Sequence, residues 1–221
     1  MKNALIIGAS GGIGQAITAE LRARGAAVTT LSRSADGLQI TDEASIAAHL
    51  GALTGPYDLI LVASGALEID GHAPEKTLKN LSADSLRAQF EVNAIGPALV
   101  VKHSLRLLPR DEPAKLAVLS ARVGSIGDNA LGGWYSYRAA KAAVNQLVHT
   151  AAIEIARSHK LTTCVALHPG TVATPFTAKY LGRHPAVAPA QAAQNLLGVL
   201  AGLTRTETGK FFDWAGEPIP W

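Results

Sequence analysis

Short apolar runs recur along the chain, separated by stretches in which apolar residues return every three or four positions. The runs are Ala4–Ile7, Ala27–Leu31, Leu38–Ile40, Asp58–Ala63, Leu116–Leu119, Thr162–Leu167 and Phe211–Trp214. Several are continuous rather than alternating, as expected of parallel strands buried on both faces. Ile13, Ile17 and Leu21 step by four, a helical period, and the pattern stops at Gly25 after Arg22 and Arg24. Further helices are predicted from Thr41 or Asp42 as cap, over 82–108, over 134–158 with Ala143, Leu147 and Ala151 on one face, and over 189–203. Seven strands alternating with helices predict an α/β fold: one doubly wound, mainly parallel Rossmann-type sheet with helices on both faces, in a single domain over 1–221. Only Ser34 to Gly37 separate the Arg33 end of the second strand from the third run at Leu38. That is too short for a crossover helix, so the helix between strands 2 and 3 is expected to be missing.

Composition narrows the class. Of 221 residues, 48% are hydrophobic and 17% charged, which excludes a disordered chain. The lone Cys164 cannot form an internal disulfide and reads as a small core residue. His49, His72, His103, His149, His159, His168 and His184 are dispersed, so no metal site is expected. The net charge of +3 comes from scattered residues without a basic stripe, so no nucleic-acid partner is expected. No apolar run approaches the ~20 residues that span a bilayer, and Ala4–Ile7 is too short for a signal peptide. A cytoplasmic protein without a membrane partner is the expectation.

Three motifs carry chemistry. Gly8-Ala9-Ser10-Gly11-Gly12-Ile13-Gly14 follows the first strand and opens a helix. Glycines at 8, 12 and 14 let backbone approach a pyrophosphate, beside a helix N-terminus with free N–H groups. At the end of the second strand stands Ser32-Arg33-Ser34. An acidic residue there would suit a ribose 2′-OH, whereas a guanidinium grips a 2′-phosphate, so NADP (NADPH) is favoured over NAD. Tyr137 and Lys141 lie four apart on a predicted helix and share a face. An ammonium near a phenol favours the phenolate and makes the phenol a workable proton donor and acceptor. Trp134 and Tyr135 just before it could line a substrate pocket or simply pack.

Taken together with Asn93 in Glu91-Val92-Asn93-Ala94-Ile95-Gly96 and with Pro169-Gly170-Thr171-Val172-Ala173-Thr174, these motifs resemble the classical short-chain dehydrogenase/reductases over essentially the whole chain. Ser120–Ile126 and Phe212–Gly216 are similar to the subgroup of C-factor, a cell–cell signalling protein, and sniffer-like carbonyl reductases. The resemblance implies an oxidoreductase that moves a hydride between NADP(H) and a carbonyl or alcohol substrate. Tyr137 would be the acid/base, Lys141 would lower its pKa and bind the nicotinamide ribose, and Asn93 would hold a relay water. It assigns the cofactor to Gly8, Ser10, Gly11, Gly12, Ile13 and Gly14, to Ser32 and Arg33, to Ala63, Ser64 and Gly65, to Asn93, Tyr137 and Lys141, and to Pro169, Gly170, Val172 and Thr174. It also implies a homodimer or homotetramer, with substrate specificity in the loop from about Phe176 to Pro189.

Three positions depart from the family pattern. Ile7 replaces a threonine before the glycine turn, and Val62-Ala63-Ser64-Gly65 replaces an Asn-Asn-Ala-Gly. The family's substrate-binding serine, three residues before a glycine, falls on Ala121 when counted back from Gly124. Ser120 or Ser125 could supply the hydroxyl instead. An oxyanion donor lost outright costs roughly 10²–10³ in kcat. The alternative is therefore a dinucleotide-binding signalling or sensor protein with weak or vestigial reductase activity.

Overall fold

The computed structural model describes residues 1–183 and 185–221; His184 lies outside the described residues. The described strands form one sheet, all parallel: β1 (Asn3–Ile7), β2 (Ala27–Leu31), β3 (Leu59–Val62), β4 (Ala114–Leu119), β5 (Thr162–Leu167) and β6 (Phe211–Phe212). Their order is β2-β1-β3-β4-β5-β6. The chain therefore winds one way from β1 to β2, then crosses back to place β3 on the other side of β1. That reversal opens a crevice at the C-terminal ends of β1 and β3, where open parallel sheets bind ligands.

The sheet has six strands among the described residues, not seven. Leu38–Ile40 is not a strand, because its backbone bonds are made locally. The Leu38 N–H returns to the Ser32 carbonyl (3.2 Å), the Gln39 N–H goes to Ser45 Oγ (3.0 Å), and the Gln39 carbonyl accepts from Asp42 N (3.2 Å). The crossover helix is correspondingly present. A single turn, α2 (Arg33–Asp36), and then α3 (Glu43–Gly51), capped by Asp42 on the Ala44 N–H, lie between β2 and β3.

The remaining helices are α1 (Gly12–Ala23), α4 (Ala83–Phe90), α5 (Gly96–Ser104), α6 (Tyr135–Ser158) and α7 (Pro189–Gly202). The helix expected over 82–108 is interrupted by a π-turn at Glu91–Ile95, in which the Gly96 N–H reaches the Glu91 carbonyl. Pro97 explains the widening: it has no N–H for the carbonyl of Asn93 four residues back, and its ring would collide with it.

Strand side chains alternate between two cores. Leu116, Val118, Cys164 and Ala166 pack with α3, α5 and α6, while Ala117, Leu119, Val165 and Leu167 pack with α1 and α7. Cys164 is fully buried, and burial pushes its thiol up to about 12, so it stays protonated. On α6 the buried stripe is Tyr137, Lys141, Val144, Val148, Ala152 and Ile155. The expected stripe is rotated outward: Ala143 and Ala151 are half-buried, and Leu147 is 42% exposed. No helix is long and apolar enough to cross a membrane among the described residues.

Candidate active site

The glycine turn sits at the sheet's switch point. Gly8 has φ +83°, a conformation that favours glycine, and a Cβ there would stand 2.7 Å from Ser64 N. β1 and β3 are thus in backbone contact where they end. A Cβ on Gly14 would strike the Gly8 carbonyl, and one on Gly12 would meet Thr174 Cγ2 at 2.5 Å. Gly11 is the N-cap of α1, with no side chain over the helix's first N–H groups. Ser10 is exposed, and its carbonyl accepts from Gln15 Nε2 (2.9 Å). Ile13 packs with Ala63 in the α1 core. The Ser64 hydroxyl is buried without a partner, an uncommon state for a polar atom. Exposed N–H groups, a side-chain-free backbone and an orphaned hydroxyl suit an elongated ligand carrying phosphates.

At the β2 end, Ser32 caps α2 by accepting the Ala35 N–H (3.2 Å), and Arg33 is exposed. Asp36, which spacing did not single out, accepts from Ser32 N (2.7 Å) and Ser32 Oγ (3.2 Å). Capping therefore occupies the serine and leaves Arg33 to face outward.

Across the crevice, α6 delivers Tyr137 and Lys141, only 5% and 3% exposed. Lys141 Nζ lies 5.8 Å from the Tyr137 ring centroid and donates to the Leu119 carbonyl (3.2 Å). A Cβ on Gly65 would lie 3.5 Å from Lys141 Nζ and 2.8 Å from Asn93 Oδ1, so the replaced Val-Ala-Ser-Gly segment touches both. Asn93 is fully buried; its Oδ1 accepts the Ala66 N–H (3.2 Å), and its Nδ2 donates to the Ala66 carbonyl (2.8 Å) and to Gln89 Oε1 (2.7 Å). Its side chain is thus spent on bracing the segment after β3. Burial pushes the Tyr137 phenol above its ordinary value and draws the Lys141 amine down to about 8. Desolvation governs both groups.

The two candidate hydroxyls differ: one is bound elsewhere and the other has no partner. Ser120 continues the β4 ladder through its N–H to the Leu167 carbonyl (2.7 Å), and its Oγ is buried without a partner. Ser125 Oγ donates to the Pro220 carbonyl and accepts the Asp128 N–H (3.0 Å), tying this loop to the C-terminal segment. Ala121 is half-buried, in extended backbone between them.

Pro169–Thr174 forms the far wall. Gly170 (φ +78°) leaves room for the Trp214 ring, Val172 is buried and bridges Val187, and Thr174 lies against Gly12. The following loop folds over Tyr137: Phe176 and Trp134 place their ring centroids 6.5 and 6.1 Å from it, and Tyr180 stands 5.4 Å from Trp134. Trp134 thus lines the space beside Tyr137, and Tyr135 is partly exposed. Glu68 fastens this cover, accepting from Tyr180 Oη (2.8 Å) and Lys179 Nζ (2.6 Å). Sequence reasoning missed Glu68 and Glu75, whose partners on the Tyr180 loop and at the start of α6 lie more than fifty residues away with no local spacing signal.

Among the described residues, no group of three His, Cys, Asp or Glu is arranged for a metal. His168 Nδ1 is buried without a partner, and burial, aided by Arg122, draws the ring down to about 4, so it is neutral.

The short chain dehydrogenase family model matches residues 38–183. The 1-hydroxy-2-glutathionyl-2-methyl-3-butene dehydrogenase of Rhodococcus sp. (strain AD45) is 31% identical over 236 aligned positions covering 100% of both chains. The C-signal protein of Myxococcus xanthus is 31% identical over 169, covering 76% of this chain and 95% of that one. A short-chain dehydrogenase/reductase from Burkholderia multivorans, solved with bound NADP, superposes with a TM-score of 0.82 at 26% identity, covering 100% of this chain and 99% of that one.

Proposed function

The chain belongs to the short-chain dehydrogenases, and from that premise we propose that it is an NADP-dependent oxidoreductase interconverting a small-molecule carbonyl and the corresponding alcohol. The observation that carries this reading is the convergence of Tyr137, Lys141, Asn93 and Gly65 beside the glycine turn at the sheet's switch point. NADP bound to the Burkholderia relative supports the choice of cofactor, as does Arg33, whose guanidinium suits a 2′-phosphate. Gly8, Gly11, Gly12 and the first N–H groups of α1 would hold its pyrophosphate. Ala63, Ser64, Gly65, Val172 and Thr174 would hold its nicotinamide half.

When bound, the nicotinamide supplies or accepts the hydride at the substrate carbon. The chain's own part is the proton. Tyr137 Oη gives it to the carbonyl oxygen in reduction and takes it back in oxidation. Its raised pKa keeps the phenol neutral and able to donate. Lys141, with an amine near 8, compensates the phenolate left behind and passes a proton on. Asn93 holds the Gly65–Ala66 backbone in place beneath both. Exposed Leu147 and Ile153 on α6 support assembly into two or four copies, and we place the activity in the cytoplasm.

A panel of aldehydes and ketones assayed with NADPH and NADH tests the proposal. NADPH should be preferred. Tyr137→Phe should cost about 10²–10⁴ in kcat, and an unchanged rate sinks the assignment.

One observation favours a second reading. Ala121 stands at the family's serine position and Ser125 Oγ is bound to the Pro220 carbonyl, which leaves the substrate carbonyl without a donor unless the buried, unpartnered Ser120 hydroxyl serves. The chain would then be a dinucleotide-responsive signalling protein with slow turnover, in line with the likeness to C-signal. Tight NADPH binding with no turnover on any carbonyl, indifferent to Tyr137→Phe, would select it.

A further inference from the structure

Glu75, in the segment between β3 and α4, is a carboxylate only 4% exposed, and it makes no ion pair among the described residues. Its partners are donors of hydrogen bonds instead. Oε1 accepts from Ser136 Oγ (2.6 Å) and Ser85 Oγ (2.9 Å), Oε2 accepts the Ser136 N–H (3.2 Å), and the Glu75 carbonyl accepts the Trp134 N–H (2.5 Å). Three of these four donors belong to Trp134 and Ser136, at the start of α6.

That start is unusual. The 24-residue helix has no capping side chain of its own, and its N-cap, Trp134, sits at φ 53°, ψ 41°. A bulky residue in left-handed backbone costs on the order of 1–3 kcal/mol and persists only where its surroundings hold it. Glu75 does the holding, through its carbonyl on the Trp134 N–H and its carboxylate on the Ser136 N–H. A negative charge is also what the positive end of a long helix favours. Burial alone would raise the pKa of this carboxyl, but hydrogen bonds from Ser136 and Ser85 hold it below the ordinary value, so it is ionised.

A local Ser or Asp at the cap would satisfy the same N–H group without burying a charge. What the distant anchor adds is a tie between two parts of the site. The segment that carries Glu75 begins at Ala66 and Leu67, which are bound by Asn93 and by Gln89 Nε2 (2.9 Å). Tyr137 follows Ser136 directly. We propose that Glu75 is a positioning residue for Tyr137: by clamping the first turn of α6 to the segment that Asn93 braces, it fixes where the phenol stands in the crevice. This rests on the reading of Tyr137 as the acid/base.

The test uses Glu75→Ala, Glu75→Gln and Ser136→Ala in the full chain. The readouts are kcat, the Kd for NADPH, and hydrogen exchange over residues 133–137. Misplacement by about 1 Å can cost roughly 10²-fold in rate. Glu75→Ala should therefore lower kcat about 10- to 100-fold, leave the NADPH Kd within about threefold, and speed exchange at Trp134 and Ser136. Glu75→Gln, which keeps an acceptor oxygen for the Ser136 and Ser85 hydroxyls, should recover part of the rate. A wild-type kcat in Glu75→Ala overturns the proposal. So does a Gln variant no better than Ala, or a parallel loss of kcat and NADPH affinity. Should Glu75→Ala fail to fold, Ser136→Ala decides: a reduced kcat at unchanged NADPH affinity supports the clamp, and an unchanged kcat overturns it. Wild-type protein without NADPH turnover would remove the underlying reading before any variant is made.

Discussion

The two halves of α6 bury the same face of one helix against one sheet, with opposite chemistry. From Tyr135 to Asn145 the buried positions include Ser136, Tyr137, Lys141 and Asn145; from Gln146 to Ser158 they are Val148, Ala152 and Ile155. The second half resembles any helix on a sheet, stabilised by apolar area removed from water. The first half buries an amine, a phenol and, from outside, the carboxylate of Glu75, each of which loses hydration. One end of the helix holds reactive groups in place, and the other supplies the packing that lets it do so.

The comparison can be broken hardest at the packing end. Ile155 is 4% exposed within the core shared with Val148 and Cys164. Ile155→Ala should cost about 2–5 kcal/mol of stability, read as a lower urea midpoint at unchanged slope. At a temperature where the variant stays folded, kcat should be close to wild type. A large fall in kcat with little loss of stability would mean that the two halves are not divided as described.

The polar end predicts the reverse. Lys141 is drawn by burial from 10.5 to about 8 in the folded protein, so between those values the unfolded chain binds the extra proton. Stability should therefore rise with pH across that window, until Tyr137, whose pKa is raised, begins to act in the opposite sense above about pH 10. Below pH 8 the full cost of burying the charged amine is present, on the order of 3 kcal/mol. Lys141→Met should accordingly be more stable than wild type at pH 7, lose the rise above pH 8, and lose turnover. Urea denaturation at pH 7, 8, 9 and 10 checks this, and a variant less stable than wild type at pH 7 contradicts it.

The same division explains what was legible in the chain. Strand, glycine turn and helix could be read because Ala4–Ile7, the glycines and the Ile13–Leu21 period are local signals, and so could the pairing of Tyr137 with Lys141, one helical turn apart. Leu38–Ile40 was misread because apolarity announces burial but not hydrogen-bond partners: Leu38 is buried, yet its neighbours bond to Ser45 and Asp42 rather than to a strand. The fate of Ser125 depended on the Pro220 carbonyl, 95 residues away. Glu75 meets Ser136 across 61 residues. No spacing rule reaches that far.

The smallest expected effect sharpens where the two halves meet. Asn145 is the last buried polar residue of the stripe. Its Nδ2 reaches the Gly124 carbonyl only at 3.5 Å, and its Oδ1 is buried with no partner. Asn145→Ala removes a long, weak bond, worth at most about 1 kcal/mol, and at the same time removes an unsatisfied oxygen whose burial costs about 1–3 kcal/mol. The two changes oppose each other, and the cavity left is small, so stability should stay within about 1 kcal/mol of wild type. Gly124 packs directly on the Lys141 backbone, with a Cβ there only 2.7 Å from the Lys141 carbonyl carbon. That contact does not pass through Asn145, so kcat should change little as well. A loss of kcat without loss of stability would mean that Asn145 and the loop after β4 act on Tyr137 and Lys141 rather than only closing the polar half of α6.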